Sequence, residues 1–101
     1  MRIKVAGTNY EIVREKLLAA GSGVYGEANF VTQQIRIDSD LTPERASQTL
    51  IHELLHAVFY ESGYKDHDEE MVVRLSNVLY QVLADNDALT LMEDIAEKEA
   101  V

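Results

Sequence analysis

Hydrophobic and polar residues alternate along the first forty residues, which is the spacing of β-strands with one buried face. Residues 2–6 and 10–13 flank a glycine-containing turn signal and predict a first hairpin. Residues 24–31 and 34–38 predict a second hairpin. Between the two hairpins, residues 14–20 favour a helix that ends at the glycine after them. The pattern therefore predicts a small antiparallel β-sheet at the N-terminus.

From residue 42 onward, apolar residues recur at every third or fourth position, which is typical of helices. Thr42 can cap the first of these helices, Pro43 suits its first turn and Gly63 can end it. A second helix is predicted over residues 67–84, and a weaker amphipathic helix over residues 89–100. Strands followed by helices predict the α+β class.

A chain of 101 residues is long enough for one small domain with a modest core. We expect a single domain over residues 1–101, rich in strands over 1–40 and helical over 42–101. The absence of cysteine excludes disulfides and thiolate metal ligands, and it fits a reducing compartment. Because no segment is long and apolar enough for a signal peptide or a bilayer span, we predict a cytoplasmic protein without membrane contact.

Acidic side chains dominate the chain, since 9 basic and 18 acidic residues give a net charge of −9 at pH 7. A surface of this sign repels phosphate groups, so we do not expect nucleic acid as a partner. A polypeptide substrate or a neutral or basic protein partner is compatible with it, and we expect a monomer. The same charge would also serve solubility alone.

Two histidines and a glutamate interrupt the apolar helix LIHELLHAVFY, residues 50–60. Residues four apart on a helix share one face, so His52 and His56 can converge on one ion. Zinc binds neutral imidazole nitrogens, and catalytic zinc sites use three protein ligands and one water. Glu53 lies close enough to take a proton from that water. This spacing is the HExxH arrangement of zinc metallopeptidases.

An ordinary core helix is the alternative to a metal site. His52 and His56 would then lie at the edge of the core and bond to backbone or water. Burying two imidazoles on an apolar helix costs free energy unless they find partners, and a metal ion is such a partner. The suitable residues at both ends of this helix, and the strand predicted before it over residues 34–38, favour the metal site.

The stretch TLIHELLHAVFY, residues 49–60, resembles the active-site helix of small phage-type zincin peptidases, near the ImmA/IrrE-like group. The resemblance extends over roughly residues 24–86. It includes the sequence YGE at 25–27, the pattern IxID at 35–38 and an acidic cluster at the start of the next helix. It implies a minimal zincin-like fold and a gluzincin-like site, in which an acidic residue of that next helix is the third metal ligand.

The third ligand has four candidates, namely His67, Asp68, Glu69 and Glu70. A metzincin-type histidine is excluded, because position 62 is a serine. Periodicity places Glu70 among polar residues and Glu69 where the apolar face of the second helix begins. Asp68 lies nearer the centre of that face but has a shorter side chain. We predict Glu69, ahead of the other three, although acids at this position also favour the N-terminal end of a helix for electrostatic reasons.

The remaining parts of a peptidase are less defined by the sequence. The hairpin over residues 24–38 can bind an extended substrate at its edge, or it can be purely structural. A second carboxylate should orient the histidines, for which Asp38 and Glu61 are candidates. A donor to the developing oxyanion is also required. The candidates for it are Tyr25, Tyr60, Tyr64 and Arg74.

These residues together predict a zinc-dependent metallopeptidase that hydrolyses peptide bonds. His52, His56 and Glu69 would hold Zn²⁺, and Glu53 would be the general base. The alternative is a zinc-stabilised protein-binding module with little or no turnover, because 101 residues leave little room for a deep cleft. An interaction protein without metal is a third possibility.

Overall fold

Strands precede helices in the computed structural model, which describes residues 1–16 and 25–99. The strands are β1 (Arg2–Val5), β2 (Thr8–Glu15), β3 (Gly26–Asn29) and β4 (Gln34–Asp38), and the helices are α1 (Pro43–Glu61), α2 (Glu69–Asp85) and α3 (Ala88–Glu99). This order confirms the predicted α+β class. The helix predicted over 14–20 was wrong at its start, since Arg14 and Glu15 belong to β2. Its residues 17–20 lie outside the described part.

The four described strands form one sheet in the order β1-β2-β4-β3. Both predicted hairpins are present, because β1 pairs with β2 and β3 with β4 in antiparallel fashion. The prediction of an antiparallel sheet was wrong at its centre, where β2 and β4 are parallel. The alternation of hydrophobic and polar residues along a strand determines which side chains share a face, but it does not determine which strands pair with each other. Residues 16–33 separate β2 from β4, and a connection of this length permits parallel pairing.

One face of the sheet packs against α1 and forms the core. Tyr10 and Ile35 are fully buried there, and Ile37 is nearly so. They contact small residues on α1, of which Ala46 and Ala57 are buried. Small side chains let α1 lie close to the sheet. This packing fixes the rotation of α1 about its axis, and therefore the direction of the side chains that do not face the sheet.

The ends of α1 follow the predicted capping residues. The Thr42 hydroxyl accepts a hydrogen bond from the backbone N–H of Arg45 at 3.2 Å, and Pro43 occupies the first turn. At the other end, Gly63 adopts a φ of +97°, a left-handed conformation that favours glycine and reverses the chain. The chain can therefore return and place the start of α2 beside α1.

Helix α2 contacts α1 through a narrow face in which Val72 and Ser76 are buried. Its other large apolar residues, predicted to be a packed face, are 39–63% exposed: Met71, Leu75, Val78, Leu79, Val82 and Leu83. Within the described part of the chain, α2 is thus buried only in its first two turns. None of the described helices has the length and apolar character needed to cross a membrane.

Candidate metal centre

The histidines of the HELLH segment lie one turn apart on the face of α1 that meets the start of α2. The Nε2 atoms of His52 and His56 are 3.3 Å apart. Both side chains are mostly buried, with 24% and 16% of their surface exposed. The imidazoles therefore converge as the spacing predicts, and each directs its Nε2 atom to the same point.

Glu69, the first residue of α2, completes this cluster. Its Oε1 lies 2.9 Å from Nε2 of His52, and its Oε2 lies 2.9 Å from Nε2 of His56. Among residues 1–16 and 25–99, these three side chains alone bring potential metal-binding atoms from three groups within 4.8 Å of one another. The structure thus brings the predicted residues together.

The other candidates for third ligand have different partners. Asp68 caps α2, since its side chain accepts from the N–H of Glu70 at 2.9 Å. The Glu70 carboxylate accepts from Arg74 at 2.6 Å. His67 contacts His56, but through Nδ1 of His56, on the side away from the cluster, at 2.7 Å. Of the four acidic and histidine side chains at 67–70, only Glu69 faces both Nε2 atoms.

The three donor groups suit a tetrahedral cation. Two atoms bound at about 2.0–2.1 Å to one tetrahedral ion lie roughly 3.3 Å apart, which matches the Nε2–Nε2 distance. Burial lowers the pKa of His56 and so favours the neutral imidazole that a metal needs. The Glu69 carboxylate supplies negative charge beside the two imidazole nitrogens. The residues therefore fit a divalent ion such as zinc.

The side chain behind His52 is Ser76 rather than a carboxylate. Ser76 Oγ lies 3.4 Å from Nδ1 of His52 and donates to the carbonyl of Val73 at 3.1 Å. Its oxygen is therefore free to accept from an Nδ1 proton on His52. Ser76 follows Glu69 by seven residues, so its place on the same face of α2 was available from the sequence.

Asp38 and Glu61, predicted to orient the histidines, were the wrong residues for that role. The Asp38 carboxylate accepts from the backbone N–H of Asp40 at 3.0 Å. The Glu61 carboxylate accepts from the Tyr10 hydroxyl at 2.6 Å and so ties the end of α1 to the sheet. Both carboxylates serve the fold.

The Glu53 side chain is buried beside the cluster and has an unusual acidity. Only 8% of the residue is exposed, and its Oε2 lies 4.0 Å from Nε2 of His52. Burial, together with the nearby charges of Glu69 and Glu27, raises the pKa of Glu53 to about 7. A carboxyl group with this pKa can both accept and release a proton near neutral pH.

A cleft of about 550 Å³ opens over these residues between β3 and the two helices. Strand β3 has β4 as its only neighbour among the described strands. The Tyr25 carbonyl accepts from the Asp38 N–H at 2.8 Å, and Gly26 lies opposite Ile37. Because hydrogen-bonded pairs alternate in antiparallel strands, the backbone groups of Gly26 and Ala28 point to the other edge, which borders the cleft.

Of the four predicted oxyanion donors, Tyr25 alone lines this cleft. Tyr60 stacks on Phe30 with ring centroids 4.2 Å apart, and the Tyr64 side chain packs at the edge of Phe59. Arg74 is paired with Glu70. Sequence reasoning missed further polar residues of the lining, namely Arg45, Gln48 and Thr49 on α1 and Asn77 on α2.

One comparison with known proteins gave a match. The family model Peptidase_M78, described as the IrrE N-terminal-like domain, matches residues 8–89, which is well over half of the chain. The matched region contains the HELLH segment, Glu69 and the whole cleft. Searches of curated proteins and of solved structures returned no match.

Proposed function

This chain belongs to the Peptidase_M78 family of IrrE N-terminal-like domains, and from that premise we propose that it is a zinc-dependent metallopeptidase. His52, His56 and Glu69 would bind Zn²⁺, and Glu53 would be the general base. The single observation that carries the proposal is the approach of the Glu69 carboxylate to both Nε2 atoms, at 2.9 Å each. A metal ion bound between the three groups accounts for this approach, whereas ion pairing of Glu69 with the histidines would need them protonated, which burial disfavours at His56.

Zinc is the metal that the donor set favours. Two imidazole nitrogens and one carboxylate are a ligand set of catalytic zinc sites, which leave the fourth position open for water or substrate. The open position would face the cleft, since all three side chains contribute to the cleft wall. A bound zinc ion would make water more acidic and would polarise the carbonyl of a peptide bond.

Glu53 supplies the proton transfers of the proposed reaction. Its carboxylate accepts a proton from the attacking water as the water oxygen forms a bond to the peptide carbon. It then donates that proton to the leaving nitrogen as the C–N bond breaks. In the metal-free protein, burial raises the pKa of Glu53 to about 7, so the site favours the protonated form that the second step requires.

An extended polypeptide is the substrate class that the cleft favours. The edge of β3 offers the backbone groups of Gly26 and Ala28 for pairing with a substrate strand beside Glu53. The lining carries both signs of charge, since Arg45 lies in it beside Glu27 and Glu69, so both acidic and basic peptides remain compatible with this cleft.

Metal analysis of purified variants tests the proposal. The wild-type protein should contain or take up a single equivalent of zinc, and Glu69→Ala should lose most of it. Asp68→Ala is the matched control, because it removes an acid one residue away that caps α2. It should cost roughly 1 kcal/mol of stability and leave zinc binding intact. A wild-type protein that binds no zinc would refute the proposal.

Glu53→Gln separates a peptidase from a zinc-stabilised binding module. The variant should retain zinc, and cleavage of a broad peptide mixture should fall by about 100-fold or more, because the amide cannot take the proton. If the zinc-loaded wild type cleaves nothing, and removal of His52 or His56 unfolds the chain, the binding module is correct instead.

A further inference from the structure

We infer that His67 is a positioning residue that fixes the tautomer of His56, so that its Nε2 lone pair points into the metal site. The inference rests on the proposed function for the identity of that site. The observation behind it is a chain of two short contacts. His67 Nδ1 lies 2.7 Å from the Tyr64 carbonyl oxygen, and His67 Nε2 lies 2.7 Å from Nδ1 of His56.

The Tyr64 carbonyl sets the direction of this chain. A carbonyl oxygen only accepts hydrogen bonds, so the Nδ1 atom of His67 must carry a proton and donate it. The carbonyl is itself held in place, since the Tyr64 N–H donates to the Phe59 carbonyl at 2.9 Å and the Gly63 N–H donates to the Tyr60 carbonyl at 3.0 Å. The turn after α1 therefore presents a fixed acceptor.

The proton on Nδ1 determines what the other nitrogen of His67 does. In a neutral imidazole only one nitrogen carries a proton, so Nε2 of His67 is an acceptor. It faces Nδ1 of His56 at 2.7 Å, and that atom must then donate. The proton of neutral His56 thus sits on Nδ1, and its Nε2 is left with a lone pair.

The consequence is a ligand that is ready for a cation. Nε2 of His56 points at the Glu69 carboxylate and at Nε2 of His52. With the opposite tautomer, Nε2 would donate its proton to Glu69 Oε2 at 2.9 Å, and that proton would occupy the position of the metal. His67 would also have to give up its hydrogen bond to Tyr64. Partners of this kind raise the metal affinity of a histidine by orienting it and selecting its tautomer.

Packing also holds the His67 ring. It stacks on the ring of Phe59 with centroids 5.2 Å apart and an interplanar angle of 19°. Phe59 lies on α1, the helix that also carries His56, so the stack holds the His67 ring at a fixed place beside His56. A phenylalanine at position 67 would keep this stack but would lack the Nε2 atom that accepts from His56.

Zinc affinity of two His67 variants, measured by competition with a chromogenic chelator, tests the inference. His67→Phe retains the stack on Phe59 but cannot accept from His56, and its affinity should fall about 10–100-fold. His67→Gln is the rescue, because its amide oxygen can accept from His56 while its nitrogen donates to the Tyr64 carbonyl. Its affinity should stay near that of the wild type. Equal affinities of the Phe variant and the wild type would overturn the inference.

Nitrogen-15 NMR of the wild-type imidazoles gives a second test that does not depend on how a variant folds. At a pH above the titration range of histidine, His67 should be protonated at Nδ1 alone, with and without zinc.

Visible spectra of the cobalt-loaded proteins give a third test. The spectrum of His67→Phe should be shifted from that of the wild type, whereas that of Tyr64→Phe, which keeps the carbonyl, should not.

Protonation of His67 at Nε2, or at both nitrogens, would refute the role even if zinc binds. Failure of the wild type to bind zinc would refute the proposed function instead, and the tautomer of His67 would still be measurable.

Discussion

The carboxyl group of Glu53 is buried, and burial disfavours its charged form. In the metal-free protein, burial and the charges of Glu69 and Glu27 raise its pKa from 4.5 to about 7. A group whose pKa is higher in the folded state binds its proton more tightly there. Its contribution to stability is therefore fully present below pH 4.5 and is lost as the pH rises through about 7.

This shift predicts the behaviour of Glu53→Gln with the metal removed. At about pH 9 the variant should unfold with a free energy up to about 3 kcal/mol larger than the wild type, because the amide has no charge to bury. At about pH 4 the difference should largely disappear. Urea unfolding of both proteins in excess chelator measures it. A difference that is the same at both pH values would contradict the assignment of the burial penalty to Glu53.

Single residues of the site were predictable from the sequence only where their position depends on spacing within one helix. The four-residue step from His52 to His56 places them on one face of any helix, and helical periodicity favoured Glu69 over Glu70 but left Asp68 and His67 open. Ser76 lies on that same face of α2, but nothing in its type indicates a role beside His52. The place of His67 depends on the turn after α1, which periodicity does not describe.

Strand β3 lies close to α1 at Gly26. A Cβ atom on this residue would lie 2.7 Å from the Thr49 methyl carbon and 2.9 Å from the Arg36 carbonyl oxygen. It would also lie 3.3 Å from Cγ of Glu53. The Arg36 carbonyl belongs to the backbone of β4 and cannot rotate away. Glycine is therefore required for the strand to border the cleft at this distance.

Gly26→Ala should consequently destabilise the protein by roughly 1–3 kcal/mol and displace β3 from Glu53. Peptide cleavage should fall with it, mainly through a higher KM, while zinc affinity changes little because β3 supplies no ligand. Urea unfolding, steady-state kinetics and chelator competition measure the three quantities. Gly63→Ala is the comparison, since its Cβ meets no described atom within 4 Å and only its positive φ resists the change. A Gly26 variant as active as the wild type would show that β3 does not bind substrate.

The elements were predictable to the extent that their own sequence determines them. Alternation predicted both hairpins and capping residues predicted α1, because each depends on neighbours in the chain. The parallel pairing of β2 with β4 was not predictable, since it depends on which strands the tertiary fold brings together and not on the sequence of either strand. Periodicity likewise identified the apolar side of α2, but only Val72 among its large apolar residues is buried. Whether another element packs against this apolar face depends on the tertiary fold, which helical periodicity does not describe.

The candidate metal site, formed by His52, His56 and Glu69, lies at the junction between α1 and α2. The Cα radius of gyration is 15.3 Å, larger than the roughly 13 Å of a compact domain of this length. Most of α2 beyond its first turns, and the apolar residues of α3, are exposed. The contacts of Glu69, Val72 and Ser76 with α1 therefore hold a helical segment that has little other support.

A cation bound by His52, His56 and Glu69 would join the two helices directly. Ligands that bind only the folded state stabilise it by mass action, and at 1,000 times the Kd the gain is about 4 kcal/mol. Excess zinc should thus raise Tm by roughly 15–30 °C for a chain of about 100 residues, and a chelator should reverse the change. His52→Ala is the control, because its Tm should respond to neither addition. If zinc raises the Tm of both proteins equally, the ion binds elsewhere, and the junction of α1 and α2 is not the site that stabilises the fold.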